Sequence, residues 1–296
     1  MSKDKITIFT PTYNRGYILN RCYESLCKQI NNNFEWLIVD DGSIDNTEEL
    51  VNNWIKANKI RIRYIKQENS GKHIAHNKGV LECNTDIFVC VDSDDYLTDN
   101  AIDTIYQNWN KVKTNSKLAG IIALRGNELR EPISTRMPRH VSQSSILDLY
   151  NKYKFKGDTM LIFRSEILKK YLFPVFEGEK FVTEAVIYDQ ISKEYKMILL
   201  DEVLYIGEYL EDGYSRNIKS IHRKNPNGYM FYLSSRIDNA SSFKEKYIAY
   251  SNYLRGMIDI KDFRYAKNKN KLMLIISVFR AITIYLKSII KSRLSK

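Results

Sequence analysis

Three carboxylates crowd one short stretch of the chain: Asp92, Asp94 and Asp95, in the run Asp-Ile-Phe-Val-Cys-Val-Asp-Ser-Asp-Asp that begins at Asp86. Ile87 to Val91 is apolar and rich in β-branched residues, the composition of a buried strand. Like charges this close raise one another's pKa, and burial strips each of water. A hard divalent cation with oxygen ligands relieves both costs and leaves coordination positions for the phosphates of a substrate. In an open α/β sheet, ligands gather outside the carboxyl ends of the strands. An isolated Asp-x-Asp can equally be a charged turn into a helix, with Asp95 near the helix start. The elements around it decide between the two.

Those elements alternate. Residues 5–10 set Ile6 and Ile8 against Thr7 and read as a strand that Pro11 ends. Ile18, Leu19, Cys22 and Leu26 then recur at helical spacing. Residues 34–39 are a second strand, followed by Asp40-Asp41-Gly42-Ser43. Asp45-Asn46-Thr47 are capping residues for a helix that carries Leu50, Val51, Trp54 and Ile55. Residues 60–65 are a third strand, and Gly71 leads into a helix through Ile74, Ala75 and Val80. Four strands thus alternate with helical segments of crossover length in the first hundred residues, which predicts a parallel sheet with helices on both faces. Every strand ends in a polar, acidic or glycine-bearing turn at the same sheet edge. Capping and turn formation account for the glycines. They do not account for acidic clusters after two strands that should lie near one another.

Beyond Asp95 the pattern predicts a helix over 101–112, a strand over 119–124 and an irregular loop over 125–139, where Pro132 and Pro138 fall. A short helix over 144–150, a strand over 159–164, a helical stretch over 181–195 and a strand over 203–207 follow. Residues 211–216 read as a turn or loop, and helices run from about Asn225 onward.

The 296 residues suffice for one large α/β domain with an extension, or for two small domains, and the 44% hydrophobic content is that of a globular protein. Residues 1–5 pass directly into the first strand without the apolar region of a signal peptide. Cys22, Cys27, Cys83 and Cys90 have no metal-binding spacing, so free thiols in a reducing cytoplasm are expected. The net charge of +11 calls for nucleic acid, an anionic membrane face or an anionic substrate. Its concentration in residues 261–296 makes it a local surface property.

Taken in order, the turn residues form a set: Pro11-Thr12-Tyr13-Asn14, Asp40-Asp41-Gly42-Ser43 with Asp45 and Thr47, Asn69-x-Gly71, Ala75-x-Asn77-x-Gly79, and Asp92-Ser93-Asp94-Asp95. In this set the chain resembles the family 2 glycosyltransferases of the GT-A fold, over residues 5–96. The resemblance implies an α/β architecture. Its GT-A (Rossmann-like), mostly parallel mixed sheet is flanked by helices and followed by a helical C-terminal extension. It places a nucleotide-sugar-binding and catalytic domain over residues 1–220 and a helical region over 221–296. It also implies metal-dependent, inverting transfer of a sugar from a nucleoside-diphosphate sugar, UDP-linked, to an acceptor hydroxyl in cell-surface polysaccharide or glycopolymer synthesis. The cofactor would be Mn2+ or Mg2+, and the acceptor a glycan or a lipid-linked glycan.

The same resemblance assigns roles. Asp40 would accept hydrogen bonds from the base, as a carboxylate can from an imide N–H. Pro11, Thr12 and Tyr13 would wall the base pocket beside Asn14, with Tyr13 available for stacking. Asp92, next to Ser93, would meet the ribose or the sugar, and Asp94 would ligate the ion. Lys72 and Asn77 would lie near the nucleotide. One departure stands out: the family commonly has arginine before this asparagine, and here the residue is His76. The phosphates would then fall to His76, Lys72 or Lys78.

Sugar transfer requires that the charge growing on the diphosphate be neutralised and that the acceptor hydroxyl lose a proton. In relatives an acidic residue near a helix start, after a glycine-containing loop, takes that proton. Here the loop is Glu177-Gly178-Glu179-Lys180, and Glu184 is the matching acid. Its aromatic and β-branched neighbours would desolvate it. Asp158 and Asp189 are the other candidates. Asp212 to Arg216 resembles a loop that closes over the diphosphate, with Arg216, His222 and Arg223 as phosphate or metal contacts.

Three other functions fit less well. A glycosidase also uses paired carboxylates, but Asp92 and Asp94 sit on one strand end, too close to flank a glycosidic bond. A sugar nucleotidyltransferase lacks its glycine-rich signature in residues 10–16. A nucleic-acid-binding module would suit the +11 charge and the 21 tyrosines but not the acidic turns, so no nucleic acid is expected. No Walker or dinucleotide-binding glycine pattern is present.

The tail, residues 271–296, is apolar over most of a helix, with Ser277, Arg280, Thr283, Lys287 and Lys291 drawing a polar stripe. Arg280 interrupts it, so a membrane span is not expected. Two readings stand. In one the helix docks on the catalytic domain or on a second subunit, giving a homo-oligomer. In the other it lies on an anionic membrane surface, placing a cytoplasmic enzyme peripherally at the inner face of the membrane.

Overall fold

The protein's structure, a computed structural model, describes residues 5–207 and 214–294; for 214–216 and 288–294 it describes the backbone alone. The chain divides into two compact units, Met1–Phe173 with Ile187–Leu210, and Pro174–Val186 with Glu211–Lys296. The sequence predicts one boundary, at residue 220. The observed division instead assigns Pro174–Val186 to the second unit and begins that unit's long segment at Glu211.

In chain order the elements of the first part are β1 (Ile6–Thr12), α1 (Asn20–Cys27), β2 (Phe34–Asp40), α2 (Thr47–Ala57), β3 (Ile62–Lys66), α3 (Lys72–Glu82), β4 (Ile87–Cys90), β5 (Tyr96–Leu97), α4 (Ala101–Lys113) and β6 (Leu118–Gly126). Then come β7 (Gln143–Ser144), α5 (Ile146–Asn151), β8 (Thr159–Arg164), α6 (Ser165–Leu168), α7 (Ala185–Glu194) and β9 (Lys196–Ile206). The strands form one mixed sheet in the order β3-β2-β1-β4-β8-β6-β9-β5, with β7 added to β9. β3, β2, β1 and β4 are mutually parallel, as the strand–helix alternation predicts. β8 runs antiparallel between β4 and β6, and β9 is parallel to β6.

The register explains why the chemistry-bearing turns converge. Thr12 pairs with Asp40 and Asp40 with Lys66, so the carboxyl ends of β1, β2 and β3 lie level. Phe9 pairs with Cys90, which brings the residues after β4 to the same edge. Pro11 does not end β1; it lies within the strand, opposite Val39. β4 pairs with β1 only as far as Phe9, so at Pro11 the strand has a neighbour on one side and tolerates the missing N–H.

One face of the sheet packs on α1, α2 and α4. Tyr23 of α1 stacks on Trp54 of α2 at 4.3 Å, and Trp36 of β2 lies beneath both, its indole N–H donating to Thr10. On the other face α3 lies against Phe9 and Phe88. Gly79 makes that approach possible, because a Cβ there would collide with the Phe9 ring. The Ala75-x-Asn77-x-Gly79 spacing is therefore in part a packing signature.

The second unit is helical: α8 (Tyr214–Lys224), α9 (Pro226–Asp238), α10 (Phe243–Ile260), a 3-10 turn over Arg264–Asn268, and α11 (Lys271–Leu294). Met230, Leu233, Ile237, Tyr250, Tyr253 and Met257 form its core, joined by Leu274 of α11. Ser242 and Glu245 form a capping box at the start of α10. Glu179, from the glycine-bearing loop, accepts the backbone N–H groups of Asn227 and Gly228, both at 2.7 Å, and so closes the start of α9. Tyr214–Arg216, read from sequence as the end of a loop, instead begin α8; the rest of that reading, and the Arg216 side chain, lie outside the described residues. Among the described residues no helix is long and apolar enough to cross a membrane.

Candidate active site

The three strand ends give the site its floor. Thr12 closes β1, and its buried hydroxyl has no hydrogen-bond partner among the described residues. Tyr13 follows, 46% exposed, and Asn14 takes a left-handed backbone (φ 52°). That turn is tied to the one after β2: the Asn14 N–H donates to Ser43 Oγ at 2.8 Å, and Asn14 Oδ1 accepts the Ile44 N–H at 2.9 Å.

Asp40 is fully buried. Its oxygens accept the Ser43 N–H at 2.7 Å and the Tyr64 hydroxyl at 2.5 Å. Burial, and then the hydrogen bond to Asp40, push the Tyr64 hydroxyl's pKa up. Asp41 accepts Gln67 Nε2, the Ser70 N–H and the Gly71 N–H, which fixes the loop into α3. Asp45 caps α2 through Thr47 and holds the Gly16 N–H. The acidic turn after β2 is thus largely a scaffold, and Asp40 is its member nearest the strand.

Lys72, in the first turn of α3, reaches Asp92 bidentately at 2.8 and 3.0 Å. Burial pushes the Asp92 carboxyl up, but the Lys72 ammonium outweighs it and holds the group below its ordinary range. Asp94 forms no ion pair among the described residues. Burial first, and then the Asp92 charge, raise it. Asp95 is buried, and the same two causes push it up to about 7. One carboxylate oxygen from each of the three lies within 4.8 Å of the others. Three carboxylates against the Lys72 ammonium and the Arg125 guanidinium leave the cluster one positive charge short. An all-oxygen donor set of this kind suits a hard divalent ion.

Asp95 itself is already engaged. It accepts the Tyr205 hydroxyl at 2.7 Å and the Arg125 guanidinium at 3.1 Å. The Arg125 guanidinium also lies over the Tyr205 ring at 5.4 Å and pairs with Asp158 at 3.5 Å. Gly207 leaves room for this contact, since a Cβ there would collide with both Asp95 and Arg125. Asp95 is thus engaged by Arg125 and Tyr205 and Asp92 by Lys72, and Asp92 and Asp94 are the more exposed members of the cluster. Arg125 and Tyr205 are missed by sequence reasoning. They come from β6 and β9, 30 and 110 residues from Asp95, and no local motif marks either.

Several expected residues sit otherwise. Asn77 is buried, and its amide donates to the Phe173 carbonyl at 2.9 Å and accepts the Phe173 N–H at 2.8 Å. It clamps a backbone segment, with one hydrogen bond at each end of the amide. His76 is 4% exposed, edge-on to Phe9, Phe88 and Phe173, and neither ring nitrogen has a hydrogen-bond partner among the described residues. Burial, with the Lys72 charge second, pushes its pKa down to about 3, so it carries no charge to offer a phosphate. Lys78 pairs with Glu82 along α3. Of the three cationic candidates, Lys72 is the one at the acidic cluster.

In the second unit Glu184 is exposed, so the expected desolvation by its neighbours is not found. His222 stacks on Tyr229 at 3.9 Å, and Arg223 donates to the Asp259 carbonyl. Asp189 is buried. Cys22, Cys27, Cys83 and Cys90 are free thiols.

Comparison with known proteins agrees with this arrangement. The family model described as Glycosyl transferase family 2 matches residues 7–172. The glycosyltransferase GlyG of Streptococcus pneumoniae is 28% identical over 217 residues, 68% of this chain and 69% of GlyG. The poly(ribitol-phosphate) beta-N-acetylglucosaminyltransferase TarP of Staphylococcus aureus is 26% identical over 235 residues, 76% of this chain and 68% of TarP. The crystal structure of S. aureus TarS 1-349 in complex with UDP-GlcNAc superposes with a TM-score of 0.60 at 17% identity, over 94% of this chain and 80% of that one, and so shares the fold. The strand order, the acidic cluster after β4 and the match over more than half the chain place this protein in glycosyl transferase family 2.

Proposed function

We propose that the protein transfers a sugar from a nucleoside-diphosphate sugar, UDP-linked, to an acceptor hydroxyl with inversion at the anomeric carbon, and that the reaction needs a divalent ion. The observation that carries the reading is the cluster of Asp92 and Asp94 beside Lys72, level with the carboxyl ends of β1 and β2. TarP is named as an N-acetylglucosaminyltransferase and TarS is known with UDP-GlcNAc; both favour a UDP-linked donor here. A glucosyltransferase of Campylobacter jejuni, 26% identical over 192 residues, is named for an undecaprenol-linked acceptor, and this favours a glycan or lipid-linked acceptor in surface glycopolymer synthesis.

In this reading Thr12 and Tyr13 wall the base pocket, and the unpartnered Thr12 hydroxyl offers the base a hydrogen bond. Pro11 and Asn14 shape the same wall, and Asp40 supports it from beneath. Asp94, beside Asp92, would hold the ion, Mn2+ or Mg2+, which would neutralise charge on the leaving diphosphate, and Asp92 and Ser93 would meet the nucleotide sugar. Lys72 keeps Asp92 ionised and presents an ammonium on the phosphate side. Glu184 takes the proton from the acceptor hydroxyl, and Arg216 is a phosphate contact. A single displacement with one base inverts the anomeric carbon. The enzyme works in the cytoplasm, peripherally at the membrane's inner face.

Calorimetric titration with UDP-sugars and with single-stranded oligonucleotides tests the reading. Binding of a UDP-sugar that strengthens with Mn2+ and is lost in Asp94→Ala is expected. Oligonucleotide binding without UDP-sugar binding would overturn it.

A further inference from the structure

The helix α11 has two faces. Leu274, Ser277 and Ala281, spaced three and four residues apart, are buried, and Leu274 joins the core formed by α9 and α10. At about 100° per residue, the opposite face carries Leu272, Ile275, Ile276, Phe279, Ile282 and Leu286. All six are exposed, Phe279 at 82%. Leu272, Ile275, Phe279, Ile282 and Leu286 recur every three or four residues for four turns, so the face is one unbroken apolar strip. A monomer rarely leaves such a strip in water without a use for it.

The charges around the strip identify what covers it. Lys271 flanks it on one side, and Arg280 and Lys287 on the other. None of these three cations has an acidic partner among the described residues. Residues 271–296 contain six lysines and arginines and no aspartate or glutamate. A second copy of the same face would bring like charges together along the whole contact, which opposes self-association. An anionic lipid surface instead accepts the apolar strip into its acyl boundary and meets the flanking cations with phosphates, while long basic side chains reach outward to the headgroups.

We propose that the exposed face of α11 is a membrane-surface site that lies in the plane of an anionic bilayer, with Phe279 at its centre and Lys271, Arg280 and Lys287 at the headgroups. Its bearing on catalysis, bringing the enzyme to a lipid-linked acceptor, rests on the glycosyl-transfer reading; the binding itself does not.

The test is flotation of the full-length protein with phosphatidylglycerol-containing vesicles and with pure phosphatidylcholine vesicles, at low and high salt. Wild type is expected to float with the anionic vesicles and to be released by salt. Phe279→Glu, at an exposed position, is expected to bind at least about tenfold less, since both the apolar insertion and the charge balance are lost. UDP-sugar titration of the same variant separates this proposal from the catalytic one, because donor binding should be unchanged. Phe279→Trp supplies a second readout: its emission should shift to the blue with anionic vesicles only. Failure of wild type to float, equal flotation of Phe279→Glu, or no shift in Phe279→Trp would each overturn the proposal. So would a concentration-dependent dimer that Phe279→Glu dissolves, which would assign the face to a second copy.

Discussion

The Tyr205 hydroxyl stands between two members of the acidic cluster: it donates to the Asp95 carboxylate at 2.7 Å and accepts the Asp92 N–H at 3.1 Å. A residue of β9 thereby fixes the turn after β4 from behind. With Arg125 it engages the buried Asp95 carboxylate, while Asp92 and Asp94 are more exposed. Tyr205→Phe removes one hydroxyl and leaves a buried carboxylate and an N–H short of a partner. The expected cost is about 1–3 kcal/mol of stability, with a higher Mn2+ concentration needed for half-maximal turnover. Denaturant unfolding and metal titration check this; a wild-type metal midpoint would show that Tyr205 does not position the cluster.

Asn77 is expected to matter for stability rather than for donor affinity. Asn77→Leu deletes both hydrogen bonds to the Phe173 backbone and leaves that peptide's N–H and C=O buried without partners. A loss of about 2–4 kcal/mol follows from two such groups. The UDP-sugar dissociation constant, measured well below the unfolding transition, should stay within about threefold of wild type. A loss of affinity at intact stability would return Asn77 to the nucleotide.

His76 makes the fold sensitive to acid. Its pKa falls from 6.5 in the unfolded chain to about 3 in the folded one, burial being the main cause. Above 6.5 neither state is protonated at this residue, and the full stability is present. As the pH falls below 6.5 the unfolded chain takes up a proton that the folded chain refuses, so stability declines down to about pH 3. Between pH 6.5 and 5 this residue alone should account for about 2 kcal/mol. His76→Leu should flatten the pH dependence of urea unfolding across that window. An unchanged slope would mean that the ring is solvated or paired.

Glu184→Gln preserves shape and removes basicity. Turnover should fall about 10²–10⁴-fold, the usual worth of a general base, while UDP-sugar affinity stays near wild type. The product's anomeric configuration, followed by NMR, is an independent check on the single displacement. A near-normal rate would remove Glu184 from the role, and retention of configuration would contradict the displacement scheme.

The parallel half of the sheet was legible in the sequence because its signals are local. Apolar runs, capping residues and glycine turns recur at crossover spacing from Ile6 to Cys90, and register then brings Thr12, Asp40 and Asp92 to one edge. What was hidden is non-local. β9 was read only over its last residues, because Asp201 and Glu202 interrupt its apolar pattern where the register with β6 shifts between Ile122 and Leu124. Asp201 there serves the neighbouring loop, accepting the Met137 N–H and pairing with Arg136. Tyr205 and Arg125 could not be seen for the same reason: their function is set by strand pairing. The helix motif carries more than its spacing shows: Gly79 lets α3 pack on Phe9, and Asn77 holds the Phe173 backbone.

Release of UDP from a panel of UDP-sugars, with acceptor glycans present, tests the assignment of the acidic cluster most directly. Wild type with Mn2+ or Mg2+ should turn over at least one donor. Excess chelator should stop it, and Asp94→Asn should stop it while leaving the unfolding transition in place. Undiminished turnover by Asp94→Asn, or by wild type in chelator, would contradict a metal-assisted glycosyl transfer at Asp92 and Asp94.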